Sequence, residues 1–407
     1  MPTTDMRFSP VLGGVTAPKG FVAAGVAAGL KKSGRPDVAL LAASGPVPAA
    51  AVFTTNLVAA APIVVSREHM ALGRIRAVVT NAGNANACTG ARGLADARSM
   101  AAETAGALGC APTEVIVAST GVIGAPLPVG LVLPAISVAA QALGRDSGDA
   151  AANAIMTTDT FPKQAAVSVH VGDRIYTVGG MAKGSGMIKP DMATMLAYIT
   201  TDAPLTIEAC DVALRAAVGR TFNRITVDSD TSTNDMCVLL ASGEAGGRPI
   251  GPDCAEFEPV AQAVHLVCGE LARMVVRDGE GATKFVEVTV RGAASERDAE
   301  LAAFAIADSP LCKTAIFGAD ANWGRVAMAI GKSGARVDPD SFDIVFAGVP
   351  TCAGGTALAF DEAAAATALA QREVDILVDL HVGPHSATVW TCDLSYEYVH
   401  INGDYRS

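Results

Sequence analysis

GMIKPDMATMLAYITTDA, residues 186–203, carries the chain out of glycine-rich sequence into an apolar run, and at the join stands the pair Ala193-Thr194. A threonine hydroxyl is a poor nucleophile until a base takes its proton. An economical base is the α-amine of the same residue, once that residue heads a chain. Thr194 is internal, so this chemistry requires a cut. Attack of Oγ on the Ala193 carbonyl, an N-to-O acyl shift and hydrolysis of the ester would release a chain that begins with Thr194. Its new amine would titrate near ~8, close enough to neutrality to act as a base. The small Ala193 side chain leaves the carbonyl accessible, and the β-branched Thr194 has few χ1 rotamers. Taken alone, the pair is an ordinary strand or turn dipeptide, so the rest of the chain must decide.

Composition narrows the field. The 407 residues, 50% hydrophobic and 17% charged, suffice for two or three domains at roughly 100–200 residues each. The 41 glycines and 5% aromatics fit a compact α/β enzyme better than a fibrous or disordered chain. A net charge of -11 with no Lys/Arg run argues against nucleic acid as the main partner. The nine cysteines are scattered singly from Cys88 to Cys392 without a C-x-x-C pair, and read as reduced core residues of a cytosolic protein. MPTTDMRFSP lacks the basic and apolar regions of a secretory signal. The most apolar stretch, GPVPAAAVFTTNLVAAAPIVV (45–65), is broken by Pro, Thr and Asn. No export and no membrane span are expected, and the location expected is cytoplasmic.

Both hydrophobic periods occur. Val167, Val169 and Val171 alternate before Gly172-Asp173 and IYTV, predicting a hairpin; KFVEVTVRG (284–292) and VDILVDLHVGPHSATVWTC (374–392) alternate in the same way, predicting antiparallel sheet. Ile207, Cys210, Leu214 and Val218 follow a helical period after Thr206 as N-cap. Val260, Val264, Val267, Leu271 and Val275 form a second helix, and Ser295 with Asp298 opens a third. Helices packed on sheets in layers follow, within the α/β (α+β) class. The best boundary is RDGEGATK near residue 280, with a weaker break at GGMAKGSGM (179–187).

Several familiar signatures fail. VDSDTS (227–232) superficially matches a phosphotransferase D-x-D-x-T loop with Asp228 as nucleophile, but Ser232 stands in place of the Thr and the motif lies mid-chain. Its polar side chains read better as holding a turn backbone. It also lacks the Gly and Glu of a calcium loop. His381 and His385 are four apart, yet HVGPH contains Gly and Pro in a hairpin context, so no metal site is expected. His265 lies within a helix and reads as structural. No G-x-S-x-G elbow, P-loop or dinucleotide motif occurs, and no cofactor is expected.

Seven blocks change the weight of Ala193-Thr194. GVTAPKGF (14–21), STGVIG (119–124), MTTDTFPK (156–163), GMAKGSGMIKPDMATML (180–196), FNRITVDSDTSTND (222–235), RDGEGATKF (277–285) and FGADANWGR (317–325) together resemble the ornithine acetyltransferase family, also called glutamate N-acetyltransferases. The resemblance covers essentially the whole chain in order, and the block ending in ATML is the most specific part.

The resemblance implies a self-processing acyltransferase of arginine biosynthesis that moves an acetyl group from N2-acetyl-L-ornithine to L-glutamate. Some members of the family also acetylate glutamate from acetyl-CoA, and the sequence leaves both donors open. The implied fold is a layered helix–sheet–sheet–helix sandwich of the N-terminal-nucleophile-like type, shared with DmpA, carrying a smaller C-terminal α/β domain. The expected division is 1–280 and 281–407, with processed chains 1–193 and 194–407 assembling as a heterotetramer of two pairs. By the resemblance Thr194 is nucleophile and cleavage residue, Ala193 supplies the cut carbonyl, and Thr120 and Gly121 form the oxyanion hole. Thr157, Lys183, Thr194 and Glu280 match substrate-binding positions, as do Asn402 and Ser407 at the C-terminal end. Lys189 and Asp191 depart from the His and Asn often found there, and bear on processing more than on transfer. The chemistry is coherent by itself: exchanging one amide for another needs no nucleotide. Lys183 suits an α-carboxylate and Glu280 an ammonium. Two alternatives share the scaffold: a self-processing threonine aminopeptidase or amidase in which water resolves the acyl-Thr, and a non-enzymatic amino-acid-binding protein.

Overall fold

The computed structural model describes residues 7–189 and 195–404. The larger sheet comprises β1 (Phe8–Pro10), β2 (Phe21–Val26), β3 (Val38–Phe53), β4 (Arg74–Asn84), β5 (Val115–Val122), β6 (Lys163–Val171), β7 (Arg174–Lys183), β8 (Leu196–Thr201) and β9 (Met236–Ala241). β3 belongs to two leaves at once. Its first half pairs with β2 and β4, its second half with β9, and the ladder to β4 shifts between Ala42 and Val47, where Gly45 and Pro46 interrupt the run. One leaf is therefore β1-β6-β7-β8-β9-β3, the other β2-β3-β4-β5.

Side-chain alternation fills three layers from these two leaves. Leu196, Tyr198, Met236, Val238 and Leu240 of the first leaf face Leu41, Val78, Ile116 and Ala118 of the second, making a core between sheets. Ala197, Ile199, Cys237 and Leu239 point the other way, onto α5 (Ile207–Arg220) and α6 (Phe257–Arg277). Leu40, Ala77, Val79, Val115 and Val117 point outward from the second leaf onto α1 (Ala61–Met70), α2 (Gly90–Leu108) and α3 (Val129–Gln141). α4 (Gly148–Ala154) closes one end of the inner core through Ala151, Ala152 and Ala154. The chain thus builds the expected helix–sheet–sheet–helix sandwich.

A second, six-stranded sheet takes all its strands from later in the chain. They are β10 (Phe285–Ala293), β11 (Asp343–Phe346), β12 (Val349–Ala353), β13 (Thr356–Ala357), β14 (Glu373–Asp379) and β15 (His385–Cys392). One face packs on α7 (Glu296–Ala307), α8 (Pro310–Phe317), α9 (Trp323–Gly331) and α10 (Glu362–Leu369). The other turns Phe285, Trp390 and Cys392 onto the core of α6. There Arg273 lies 4.6 Å over the Trp390 ring and Arg277 4.9 Å over Phe285.

Local signals decide several elements. Thr206 Oγ1 accepts the Ala209 N–H at 3.1 Å to start α5, and Ser295 Oγ accepts the Asp298 N–H at 3.1 Å to start α7. β6 and β7 form the predicted hairpin, paired from Lys163–Ala182 to Val171–Arg174. Three expectations need correction. The sheets are mixed: β4–β5, β8–β9 and β10–β14 run parallel. HVGPH is not a hairpin either, because β10 lies between β14 and β15; His381 instead pairs with Asp343 at 2.8 Å. The cysteines are unpaired, but Cys88 is exposed, so not all are core residues. α6, at 21 residues, is long and apolar enough by length and composition to cross a membrane. Its Val260, Val264, Val267, Leu271 and Val275 are buried on the first leaf.

Among the described residues, a polar bridge crosses the inner core between leaves: the hydroxyls of Tyr198 on β8 and Thr80 on β4 meet at 2.7 Å. Tyr198→Phe should cost about 1–3 kcal/mol by stranding the Thr80 hydroxyl, and adding Thr80→Val should recover much of that loss. Denaturant unfolding of the two single variants and the double variant checks this; additive losses would mean the hydroxyls are not coupled.

Candidate active site

Sheet geometry brings distant segments to one cleft of about 250 Å³, lined by Thr120, Gly121, Thr157, Lys183, Glu280 and Asn402 among others. Thr120 and Gly121 stand near the end of β5, where the ladder to β4 shifts at Gly83 and Asn84. Gly121 has φ 129°, and a Cβ there would stand 2.4 Å from the Gly83 carbonyl carbon, so the position admits only glycine. Buried amides lock the strand end. Ser119 Oγ donates to Asn81 Oδ1 at 2.6 Å, and Asn234 Nδ2 donates to the Ala85 and Ser119 carbonyls at 2.6 and 2.9 Å.

Lys183, the last residue of β7, donates from Nζ to Thr157 Oγ1 at 2.8 Å and to Thr120 Oγ1 at 3.3 Å. An ammonium has three protons and no acceptor, so both hydroxyls accept and keep their own hydrogens free to donate elsewhere. This orients Thr120 as a donor and leaves Lys183 one proton for an anionic group.

Behind Lys183 lies a buried ion cluster. Lys163, fully buried, donates to Asp159 at 2.7 Å and to Asp278 at 2.5 Å. Asp159 also accepts the Thr157 and Gly184 N–H groups at 2.9 and 2.8 Å and lies 3.9 Å from Lys183. Burial alone would push the Asp159 carboxyl up, but the Lys183 and Lys163 ammoniums overcome it and hold the group well below the usual carboxylate range. Asp278 further accepts the Thr160 N–H at 3.0 Å and the Thr160 hydroxyl, and its carbonyl accepts Ser185 Oγ at 2.6 Å.

Glu280 follows Asp278 by two residues, its N–H bonded to the Ser185 carbonyl at 3.0 Å. Its carboxylate accepts Asn402 Nδ2 at 2.8 Å from α11 (Tyr396–Asp404). Gly186 makes room for that carboxylate: a Cβ there would sit 2.4 Å from it. Asp235, just before β9, is buried with Oδ2 unbonded among the described residues, and burial pushes its carboxyl well above the ordinary value.

Of the residues singled out from sequence, Thr120, Gly121, Thr157, Lys183, Glu280 and Asn402 share the cleft. Thr194, Ala193, Asp191 and Ser407 lie outside the described residues. Lys189 pairs with Asp308 at 2.7 Å. Asp159, Lys163, Asp278, Asn234 and Asp235 were not anticipated, although each lies within a quoted block. Among the described residues no group of His, Cys, Asp or Glu is arranged to hold a metal. The cleft offers an ammonium, a carboxylate and a hydroxyl whose proton is directed away from the ammonium. Those groups complement the carboxylate and the ammonium of an α-amino acid.

Two outcomes follow. Gly186→Ala should displace the Glu280 carboxylate and raise KM for an amine-bearing substrate more than it lowers kcat, read from steady-state kinetics. Asp235 has a folded pKa above its unfolded value of about 4, so the native state holds the extra proton and stability falls as pH rises past that value. Asp235→Asn removes this titration, so its Tm relative to wild type should rise as pH increases above about 4; parallel Tm curves would refute it.

Residues 22–407 match the ArgJ family. The arginine biosynthesis bifunctional protein ArgJ of Symbiobacterium thermophilum is 54% identical over 397 residues, covering 97% of this chain and 99% of that protein. The crystal structure of the protein of the same name from Bacillus halodurans is 44% identical, covers 51% of this chain and 98% of that chain, and superposes with a TM-score of 0.50. A chain of the ornithine acetyltransferase from Mycobacterium tuberculosis, complexed with ornithine, is 46% identical over 46% of this chain and 100% of that one, with a TM-score of 0.43. Matched from strand β2 through the last helix, this chain belongs to the ArgJ family.

Proposed function

We propose that this acyltransferase cuts its own chain between Ala193 and Thr194. It then carries the acetyl group of N2-acetyl-L-ornithine to L-glutamate as an ester on Thr194. The observation that carries the reading is the convergence of Thr120, Gly121, Thr157, Lys183, Glu280 and Asn402 on one cleft, at the end of the β7 strand that leads toward Thr194. Family membership supports it. So does the Bacillus halodurans chain, matched almost completely by about half of this one, as expected of a mature protein in two pieces. The same reading gives a heterotetramer of two such pairs in the cytoplasm.

In the first half-reaction Thr194 Oγ attacks the acetyl carbonyl. The C–N bond breaks and ornithine leaves with a proton relayed through the Thr194 amine. In the second, the glutamate amine attacks the ester carbonyl, the C–O bond to Thr194 breaks, and Oγ takes up the proton that the attacking amine gives up. Each half passes through a tetrahedral oxyanion, which the Thr120 hydroxyl and the Gly121 N–H would stabilise; one such donor is worth about 2.7–4 kcal/mol of barrier. Lys183 pairs with the α-carboxylate common to both substrates, and Glu280 receives an ammonium.

The test is incubation with acetylornithine alone. Ornithine should be released, and mass spectrometry should find an acetyl ester on a fragment beginning at Thr194; adding glutamate should discharge it, with parallel lines in steady-state plots. Thr194→Ala should abolish both cutting and transfer, and Thr120→Ala should lower kcat by about 10²–10³ with little change in KM. An uncut active enzyme, or intersecting lines, would refute the reading; discharge by water alone would make the protein an amidase. Acetyl-CoA supplied in place of acetylornithine tests the second donor.

A further inference from the structure

Among the described residues, three buried side-chain atoms find no hydrogen-bond partner: Arg76 Nη1, Asp96 Oδ2 and Asp235 Oδ2. Of these three residues only Asp235 lines the cleft that holds Thr120, Lys183 and Glu280. An orphaned buried atom calls for a physical reason, and its place in the cleft points to a ligand as the partner. The backbone around it is fixed. The Asp235 carbonyl accepts the Thr54 N–H at 2.9 Å, and the Met236 N–H donates to the Met195 carbonyl at 3.0 Å. Asn234 sets its position relative to β5: Nδ2 donates at 2.9 Å to the carbonyl of Ser119, the residue before Thr120. The acid and the Thr120 hydroxyl therefore stand on adjoining segments tied by a buried hydrogen bond.

A carboxyl buried with one oxygen orphaned is most stable as the neutral acid. Among the described residues no ammonium or guanidinium bonds to Asp235. Lys183, the cation that shares the cleft, gives its hydrogen bonds to Thr157 and Thr120. The other titratable groups lining the cleft are Asp228, Asp230, Glu280 and Tyr398, and the carboxylates among them oppose a further negative charge. Burial outweighs the Ser232 hydrogen bonds and the Lys183 charge, and pushes the Asp235 carboxyl well above its ordinary value. A carboxylate only accepts, whereas a neutral carboxyl has an O–H to donate. An ammonium has no lone pair to receive that O–H, and the α-carboxylate is matched by Lys183. The remaining acceptor on an acylated amino acid is the acyl oxygen, toward which the Thr120 hydroxyl also donates.

We propose that Asp235 is a further catalytic residue of the transfer: its Oδ2 donates a hydrogen bond to the acetyl carbonyl oxygen, beside the Thr120 hydroxyl, and that bond strengthens as the oxygen becomes an oxyanion. This rests on the transfer reading above and adds a third donor to it. The proton stays on Asp235 throughout. No bond to the carboxyl forms or breaks, and the leaving amine takes its proton by the route already given. A carboxylic acid kept neutral by an apolar site is a known way to hold such a donor at neutral pH.

Infrared difference spectroscopy of the purified protein at neutral pH tests this. Wild type minus Asp235→Asn should show the C=O band of a protonated carboxyl. N2-acetyl-L-ornithine should shift that band, whether its acetyl group is still on the amine or already on the enzyme. Ornithine, which lacks the acetyl oxygen, should leave the band in place. In steady-state kinetics Asp235→Asn keeps an N–H donor at the same position and should stay within about tenfold of wild-type kcat. Asp235→Ala should lose about 10²–10³ in kcat with KM nearly unchanged. No protonated-carboxyl band, a band moved equally by ornithine, or wild-type kcat in Asp235→Ala would overturn the proposal. If the alanine variant folds poorly, the wild-type spectra decide. Acetylornithine that shifts the band without ever releasing ornithine would overturn the transfer reading instead, and leave the hydrogen bond standing.

Discussion

The Lys163 ammonium, without solvent contact and held between the carboxylates of Asp159 and Asp278, is the interaction on which the rest of the cleft hangs. Removing such a charge from water costs several kcal/mol, returned only because two carboxylates and further hydrogen bonds complete the cluster. Asp159 passes the constraint to the Thr157 and Gly184 backbone and to Lys183; Asp278 passes it to Thr160, Ser185 and, two residues on, Glu280. Three segments far apart in sequence are thereby held in register. A neutral residue at any corner would leave a buried charge unbalanced, with losses of about 3–5 kcal/mol typical of broken buried pairs.

Glycine serves the same end by absence. At Gly121 the backbone of β5 presses against Gly83, at Gly186 the Glu280 carboxylate occupies the space of a side chain, and at Gly281, φ 68°, the start of α11 comes within 2.4 Å of where a Cβ would stand. Close approach of strand end, acid and C-terminal helix is what keeps the cleft small.

Much of this was legible in the sequence, for local reasons. Thr206 and Ser295 mark helix starts because a capping oxygen acts within three residues, and α6 shows itself through Val260, Val264, Val267, Leu271 and Val275. Alternation found the strands but not their partners: the parallel β10–β14 pair and the insertion of β10 between β14 and β15 depend on long-range docking that a period of two does not encode. The residues that meet in the cleft were singled out through resemblance in short blocks. The ion cluster was not, since Asp278 lies 115 residues from Lys163 and neither carries a local signature. Asp228 was rightly read as holding a turn backbone, though not which one.

The β7–β8 ladder has one more implication. These neighbours pair from Lys183–Leu196 to Val178–Thr201, and the connection between them contains the proposed cut. If the chain is severed there, the two pieces would remain joined through hydrogen bonds and packed side chains alone, and unfolding would become a dissociation. The stability of such a cut protein would depend on its own concentration, as for an obligate dimer. Dilution would erode it in a way the uncut precursor never experiences. A strand pair that folds as one chain would, after maturation, have to find itself again as two.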